Sequence, residues 1–482
     1  MRAIVIGAGM GGLATSIRLA AAGHDVTVLE RTPVVGGKLA TLHEQGYTFE
    51  LGPTLLTMPH LYDELFALTG KSLADEVDLV RLDRPFRYVW GPPGTALDVF
   101  DDDVAFRSEL EAFASGAGDE WDRFRTRAAS IWATAERTFM AGPMGSPWSF
   151  ARRLRNPLDL ARIDGNRTLA KSAAAHFTDP RLAQMVGRYA TYSGSSPYQV
   201  PATLACIAHI EREFGCWHVS GGLGQLRDAV ERLARHVGVD IRVGVDVGRV
   251  LTDHGQVAGV ELADGGVELA DVVVANVDAM HLYRDLLPLP KVVKELEVIP
   301  RSSSAFVVCA AVTGRTENIA HHNVWFSRDD RMEFRQLELG QAATDPTIYA
   351  CVSTVTDPSM APRDTENWYI LVNLPPAVGV DRKLMTAAVL NRLAERGVDL
   401  RSRIQFTRTL IPADFEVRYR AIDGAIYGTS SNGKKAAFQR PSNIGPVDGL
   451  YLVGGSSHPG GGLPMVATSA RIVADLVADR HG

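Results

Sequence analysis

The chain has 482 residues, of which 46% are hydrophobic and 22% charged. That is the composition of a globular polypeptide, long enough for about two to three domains. Its net charge of −6 and pI of 6.1 exclude a general nucleic-acid binder, which carries a basic domain. The four cysteines, Cys206, Cys216, Cys309 and Cys351, form no C-x-x-C pair. Neither a zinc site nor a disulfide framework is indicated, and buried thiols in a reducing compartment are expected. The first apolar strand is read from Ala3, so no secretory leader is expected. No apolar run approaches the ~18 residues of a spanning helix. The expected location is the cytoplasm, in solution or on a membrane surface.

In chain order, Ala3 to Ile6 reads as a buried strand, and Gly7-x-Gly9-x-x-Gly12 opens a helix from Leu13 to Ala20. Gly7 permits the tight turn, Gly9 lets backbone approach a pyrophosphate, and Gly12 lets helix and strand pack closely. Gly11 lies in the same loop, and the helix N-terminus offers N–H groups and partial positive charge to phosphates. A second strand, Val26 to Leu29, ends at Glu30, 18 residues beyond Gly12. That is close to the ~20 expected for a ribose-binding acid. A carboxylate there disfavours the 2′-phosphate of NADP. The order strand, turn, helix, strand, acid is far more specific than the glycines alone.

After Glu30 come Arg31 and a short loop to Gly36-Gly37-Lys38, then Phe49-Glu50-Leu51-Gly52-Pro53-Thr54. An acid followed by Gly-Gly and a cation is the flavoprotein extension of the dinucleotide motif and favours FAD over NAD. Residues 49–54 bring backbone towards a flavin ring.

Residues 100–215 read as mainly helical, with Ser108 and Asp119 as candidate caps, and a change of character falls near residue 214. A helix from Arg227 to His236 leads to a strand over residues 238–247. Strands at 257–262 and 267–269 flank a turn at Asp264-Gly265-Gly266, and a buried strand covers 271–275. Gly222-x-Gly224 is no second nucleotide site, because no clear apolar strand precedes it. Electrons are therefore expected to leave to oxygen or a quinone rather than arrive from NADPH. Strand-like runs at 305–312, 348–355 and 368–373, with a helix near 382–396, make the floor of a second domain.

Leu450 to Val453 is a further buried strand. It enters Gly454-Gly455-Ser456-Ser457-His458-Pro459-Gly460-Gly461-Gly462 and then a terminal helix starting at Leu463-Pro464-Met465. A helix N-terminus behind glycines stabilises negative charge on a reduced flavin. The two glycine-rich ends together point to one long FAD.

Several segments resemble the bacterial-type phytoene desaturases and related carotenoid oxidoreductases. They include Phe49–Thr54, Ile210–Trp217, Gly221–Leu226, Asn276-Val277-Asp278, Ser302–Val307, His321–Ser327, Asp357–Pro362 and His458–Pro464. The resemblance covers almost the whole chain. It implies an α/β fold: a Rossmann-type FAD-binding domain of glutathione-reductase or amine-oxidase type, a discontinuous mixed-sheet substrate domain, and a helical membrane-facing part. The expected FAD domain is residues 1–75, 215–300 and 415–482. The expected substrate domain is 76–214 and 301–414, with 100–214 mainly helical.

The resemblance further implies FAD contacts at Gly7, Gly9, Gly12, Glu30, Gly37, Lys38, Gly454 and Met465, backbone contacts near Pro53 and Thr54, and adenine packing against Val247. Arg31, Gly11 and Gly455 complete the expected cofactor set. The implied activity is FAD-dependent desaturation of a long isoprenoid, with hydride transfer to flavin N5. Two departures, Glu50 where relatives often have Asp and the Gly-Ser-Ser-His variant of the last motif, put phytoene itself in doubt as substrate. The variant of the last motif resembles the branches acting on already unsaturated or oxygenated carotenoids.

Glu50 and His458 are the candidate proton acceptors. His321-His322 is not expected to hold a metal, because neighbouring side chains on a strand point to opposite faces. The apolar, aromatic stretch 139–150, followed by Arg152, Arg153, Arg155, Arg162, Arg167 and Lys171, suits a segment lying on anionic lipid at the inner face of the membrane. A flavin amine oxidase, a carotenoid ketolase or isomerase, a desaturase of another polyene, and a non-enzymatic isoprenoid carrier remain as alternatives.

Overall fold

The structure, a computed structural model, describes residues 1–91, 95–144, 150–156 and 158–481. One sheet is fully parallel, in the order Asp240–Val243, Asp25–Glu30, Arg2–Ile6, Val272–Ala275, Leu450–Leu452. Its central strands are apolar runs, Val272–Ala275 throughout and Arg2–Ile6 after its first residue, because both faces are covered there. Ala3 and Val5 point into one core, with Leu13 and Ile17 of the helix Met10–Ala21, Leu226 and Val230 of Gly224–His236, and Val473 of Leu463–His481. Ile4 and Ile6 point into the other, with Val250, Val260 and Leu282. The first and last strands of the chain thus share a sheet through Val272–Ala275, as the paired glycine motifs required.

The expected strand over 238–247 is two strands. Gly244 takes a positive φ of 71°, and the Val245 N–H donates to the Glu30 carbonyl at 2.9 Å. The chain leaves the parallel sheet there and starts an antiparallel one, Val247–Asp253, Gln256–Leu262, Val267–Leu269. The turn at 264–266 forms as read, with the Asp264 carboxylate accepting from the Gly266 N–H at 2.9 Å.

The largest sheet has seven strands in the order Ile404–Leu410, Ser304–Thr313, Thr365–Leu374, Ile348–Cys351, His322–Trp325, Phe86–Trp90, Thr95–Val99. It is mixed, since His322–Trp325 runs parallel to Phe86–Trp90. The expected strand over 348–355 stops at Cys351 and continues as a 3-10 turn, Ser353–Val355. There the Asn367 side chain takes the Thr354 N–H and donates to Ser353 Oγ, replacing the ladder.

Helices Asp103–Phe113, Ala117–Phe139, Leu169–His176, Pro180–Gly187 and Cys206–Phe214 cover one end of this sheet. Their caps differ from expectation. Asp102 caps the first, and Ser108 sits inside it, donating back to the Val104 carbonyl. Gly116 precedes the second, with Asp119 in its first turn, where a carboxylate favours the helix dipole. Gly215, at φ 76°, ends the last of them at the boundary read near residue 214.

Within the stretch 139–150, residues 145–149 lie outside the described residues. Of the rest, Met140, Met144 and Phe150 are buried, the last two in a small core with Ile163. Arg153 also turns inward, donating to the Thr138, Gly142 and Pro143 carbonyls. Arg162 and Arg167 pair with Asp159 and Asp164. These described residues thus belong to the interior, although Leu158 and Leu160 stay exposed beside them. Among the described residues no helix is long and apolar enough to cross a membrane.

Candidate flavin site and substrate cavity

The first glycine loop is a cradle without room for side chains. A Cβ on Gly12 would stand 2.2 Å from the Gly7 carbonyl oxygen. One on Gly11 would stand 3.0 Å from Asn276 Oδ1 and 3.2 Å from Gly454 Cα, so the two glycine motifs touch. Gly36 and Gly37 lie against the same loop: the Gly36 N–H donates to the Ala8 carbonyl at 2.8 Å, and a Cβ on Gly37 would approach Gly9 Cα to 3.3 Å. No side chain caps the helix Met10–Ala21. Its first-turn N–H groups have no intrahelical acceptor, which leaves them for an anion. A bare backbone cradle at a helix N-terminus, met by a second one at Gly454-Gly455, fits the pyrophosphate and flavin ends of FAD.

Glu30 is buried at the end of its strand. It accepts from the Ala8 N–H at 2.8 Å and from the Thr32 N–H and hydroxyl at 2.8 and 2.7 Å. These bonds fix it beside the loop. Val247 is buried at the start of its strand, just after the Val245 bond to Glu30. Arg31, expected beside the cofactor, donates from its guanidinium to the Val417 and Arg418 carbonyls at the end of the helix Pro412–Tyr419. Those carbonyls lie in the last turn, where they lack intrahelical partners, and Nη2 of the cation satisfies them. Lys38 is held to the Ile426 carbonyl at 2.7 Å, and burial lowers its pKa against the opposing pull of Asp278.

A cavity of about 840 Å³ opens where Gly52, Pro53 and Thr54 meet Gly460 to Met465. Its walls are mostly apolar and aromatic, among them Phe86, Trp132, Phe139, Ile207, Phe326 and Tyr369. It is drawn from the seven-stranded sheet, the helical segment and the C-terminal loop together.

Neither candidate base sits free in this cavity. Glu50 does not line it. Its Oε1 accepts the Leu223 N–H at 2.8 Å, and burial raises its carboxyl to about 7. His458 does line it, but its Nε2 meets the Phe139 carbonyl at 2.7 Å, so the ring must donate there as the neutral Nε2–H tautomer. Burial lowers its pKa to about 4. His458 is held by backbone, which makes it a wall and a brace more than a proton acceptor at neutral pH.

The two adjacent histidines do not point apart. His321 precedes the strand that begins at His322, so strand alternation does not apply, and their ring centroids are 4.6 Å apart. Their ligand atoms and that of Cys351 lie within 4.8 Å of one another. Hydrogen bonds orient both rings: His321 Nδ1 meets the Thr356 hydroxyl and His322 Nδ1 the Tyr349 hydroxyl, each at 2.8 Å. Tyr349 in turn meets Thr54 Oγ1 at 2.6 Å, so a polar chain runs from the histidines to the cavity wall.

Two residues central to the cradle had no individual role in the sequence reading. Asn276 donates from Nδ2 to the Gly7 carbonyl at 3.2 Å and fills the space left by Gly9, Gly11, Gly12 and Gly454. Its only signal was the Asn-Val-Asp triplet after a buried strand. Arg440 is buried and donates to the Tyr427, Gly455 and Thr429 carbonyls, and burial lowers its pKa to about 10. Nothing in its local sequence marks it.

The glycine cradle, the parallel sheet and the large apolar cavity define an FAD-dependent oxidoreductase. Residues 10–478 match the family of flavin containing amine oxidoreductases, and the chain belongs to it. Within that family it is 33% identical to the 4,4'-diapolycopene oxygenase of Methylomonas sp, over 99% of this chain and 98% of that one. It is 32% identical to the 4,4'-diaponeurosporene oxygenase of Staphylococcus haemolyticus, over 98% and 96%. Among solved structures, an oxidoreductase from Methanosarcina mazei superposes with a TM-score of 0.67 at 18% identity, covering 99% of this chain and 100% of that one. A putrescine oxidase bound to putrescine superposes at 0.66 and 16%, covering 100% and 99%. At such identities these two establish the fold.

Proposed function

We propose that the protein oxidises a long polyene of the carotenoid class, with oxygenation of a chain end preferred over desaturation within it. The cavity carries this reading. At about 840 Å³ it lies in the upper part of the ~300–1,000 Å³ range of ligand pockets, and its walls are apolar along most of their extent. The names of the similar enzymes favour oxygenation. An amine oxidase is disfavoured by the cation Arg188 in the wall, which repels a protonated amine.

Bound FAD supplies the two-electron oxidation of the substrate. The cradle around Gly7 to Gly12 and Asn276 fixes the nucleotide end. Arg440, Lys38 and the N-terminus of the helix Leu463–His481 put positive potential near the Gly454-Gly455 end, where reduction adds negative charge. The apolar wall holds the polyene and excludes water. His458 and Glu50, both bonded to backbone, keep the walls in place. Oxygen serves as acceptor for either reaction: a terminal methyl and O2 give an aldehyde and water, whereas a saturated C–C bond and O2 give an alkene and hydrogen peroxide. A quinone serves the second as it stands, and the first when water supplies the oxygen atom and two quinones take the four electrons. Delivery from a membrane surface through the exposed Leu158, Leu160, Arg152 and Arg155 belongs to the same reading.

Purified, flavin-loaded protein mixed with polyene-loaded liposomes tests this. The expected product has gained oxygen, from labelled oxygen gas, at a chain end. Loss of two hydrogens without added oxygen would restore desaturation. Turnover of amines but of no polyene would overturn the proposal.

A further inference from the structure

We propose that Arg188 forms a subsite for an oxygen function, a carboxylate or a carbonyl, carried on the end of the polyene; this rests on the polyene reading above. Arg188 begins the 3-10 turn Arg188–Ser193, directly after the helix Pro180–Gly187, and lines the cavity. Its guanidinium carbon lies 5.0 Å from the ring centroid of Phe86, 5.3 Å from Tyr192, 5.6 Å from Tyr88 and 5.7 Å from Tyr349. Four aromatic rings therefore offer it their electron-rich faces, which helps to keep a cation in an apolar surround.

What it lacks is an acceptor for most of its donors. Among the described residues its hydrogen bond is from Nη1 to the Tyr88 hydroxyl at 3.2 Å, and no carboxylate pairs with it. The nearby acid, Glu211, is engaged elsewhere, accepting from the Tyr189 hydroxyl at 3.1 Å and the Tyr192 hydroxyl at 2.5 Å. A guanidinium has five N–H groups in a planar fork that matches a carboxylate or caps a carbonyl. None of its nitrogens is among the buried atoms without a partner, so the remaining donors open onto the cavity. A substrate oxygen can accept from them there, and a hydrocarbon cannot.

The position is suited to the task. Arg188 neighbours Tyr349, whose hydroxyl is bonded to Thr54 at the wall where the flavin end is expected. An oxygen held by Arg188 would place a chain end beside that wall. An already oxidised end would then be recognised more tightly than a bare one, which suits an enzyme taking a partly oxidised polyene one stage further.

The test uses full-length, flavin-loaded protein, titrated with a polyene hydrocarbon and with the same polyene bearing a terminal aldehyde or carboxylate, and read by perturbation of the flavin absorbance. The wild type should bind the oxygenated forms about ten- to a hundredfold tighter, the range of a charge-assisted hydrogen bond. In Arg188→Met that preference should collapse towards unity, and in Arg188→Lys part of it should survive. Equal affinity of the wild type for hydrocarbon and carboxylate would overturn the inference alone, as would a preference that Arg188→Met leaves intact. The wild-type comparison decides even if the Met variant fails to fold. No response to any polyene would overturn the reading of the substrate class, and this inference with it.

Discussion

The glycine cradle and the cavity beside it are built in opposite ways. The cradle is backbone: its shape comes from absent side chains at Gly7, Gly9, Gly11, Gly12, Gly37 and Gly454, with one amide, Asn276, wedged between them. The cavity is side chain: its walls come from segments hundreds of residues apart, and its polar contacts are few. The contrast suits FAD and the polyene proposed for the cavity. A pyrophosphate is recognised by N–H groups at fixed spacing, so a local sequence pattern suffices. A polyene offers almost nothing but length, so recognition is enclosure, which takes the whole fold.

The sharpest way to break this comparison is at the cradle. Gly9→Val should lose flavin entirely while keeping its helical circular dichroism, because the new side chain fills the phosphate space. A Cβ there already meets Asn276 Nδ2 at 2.7 Å. A variant with a full flavin spectrum would show that the cofactor lies elsewhere. Asn276→Ala is the next step down. Losing the bond to the Gly7 carbonyl should loosen the loop and weaken flavin affinity by about tenfold, measured by cofactor dissociation during dilution.

Glu50 and His458 sharpen the contrast through pH, since burial shifts them in opposite directions. The Glu50 carboxyl is raised from 4.5 to about 7. Its contribution to stability is complete below 4.5 and is lost as pH rises through 7. His458 is lowered from 6.5 to about 4. Its contribution is complete above 6.5 and is lost as pH falls through 4. Each shift corresponds to about 3 kcal/mol at most. Urea unfolding of flavin-free protein across pH should show Glu50→Gln flattening the limb between 4.5 and 7, and His458→Asn the limb between 6.5 and 4. If either variant leaves its limb unchanged, that burial effect is absent.

The smallest effect belongs to Arg31. With its donors on the Val417 and Arg418 carbonyls at an exposed helix end, Arg31→Ala should cost about 0.5–1 kcal/mol of stability. Flavin content should stay as in the wild type. A large loss of flavin would return Arg31 to the cofactor site.

The sequence by itself determined the nucleotide half. Strand, turn, helix, strand and acid from Ala3 to Glu30 are neighbours in sequence because they are neighbours in space, and their periodicity is set by short-range geometry. Even the pairing of the two chain ends was legible, since each glycine run needed a partner along one long cofactor. Tertiary structure decided the rest. It turned Arg31 onto a helix end, tied His458 to the Phe139 carbonyl, set Glu50 behind the cavity wall, brought His321 and His322 together, and set Arg188 among aromatic rings with no carboxylate bonded to it among the described residues. Each of these outcomes depends on what a side chain meets from a distant segment. No spacing in the chain reports that, because burial and hydrogen-bond partners exist only once the chain has folded.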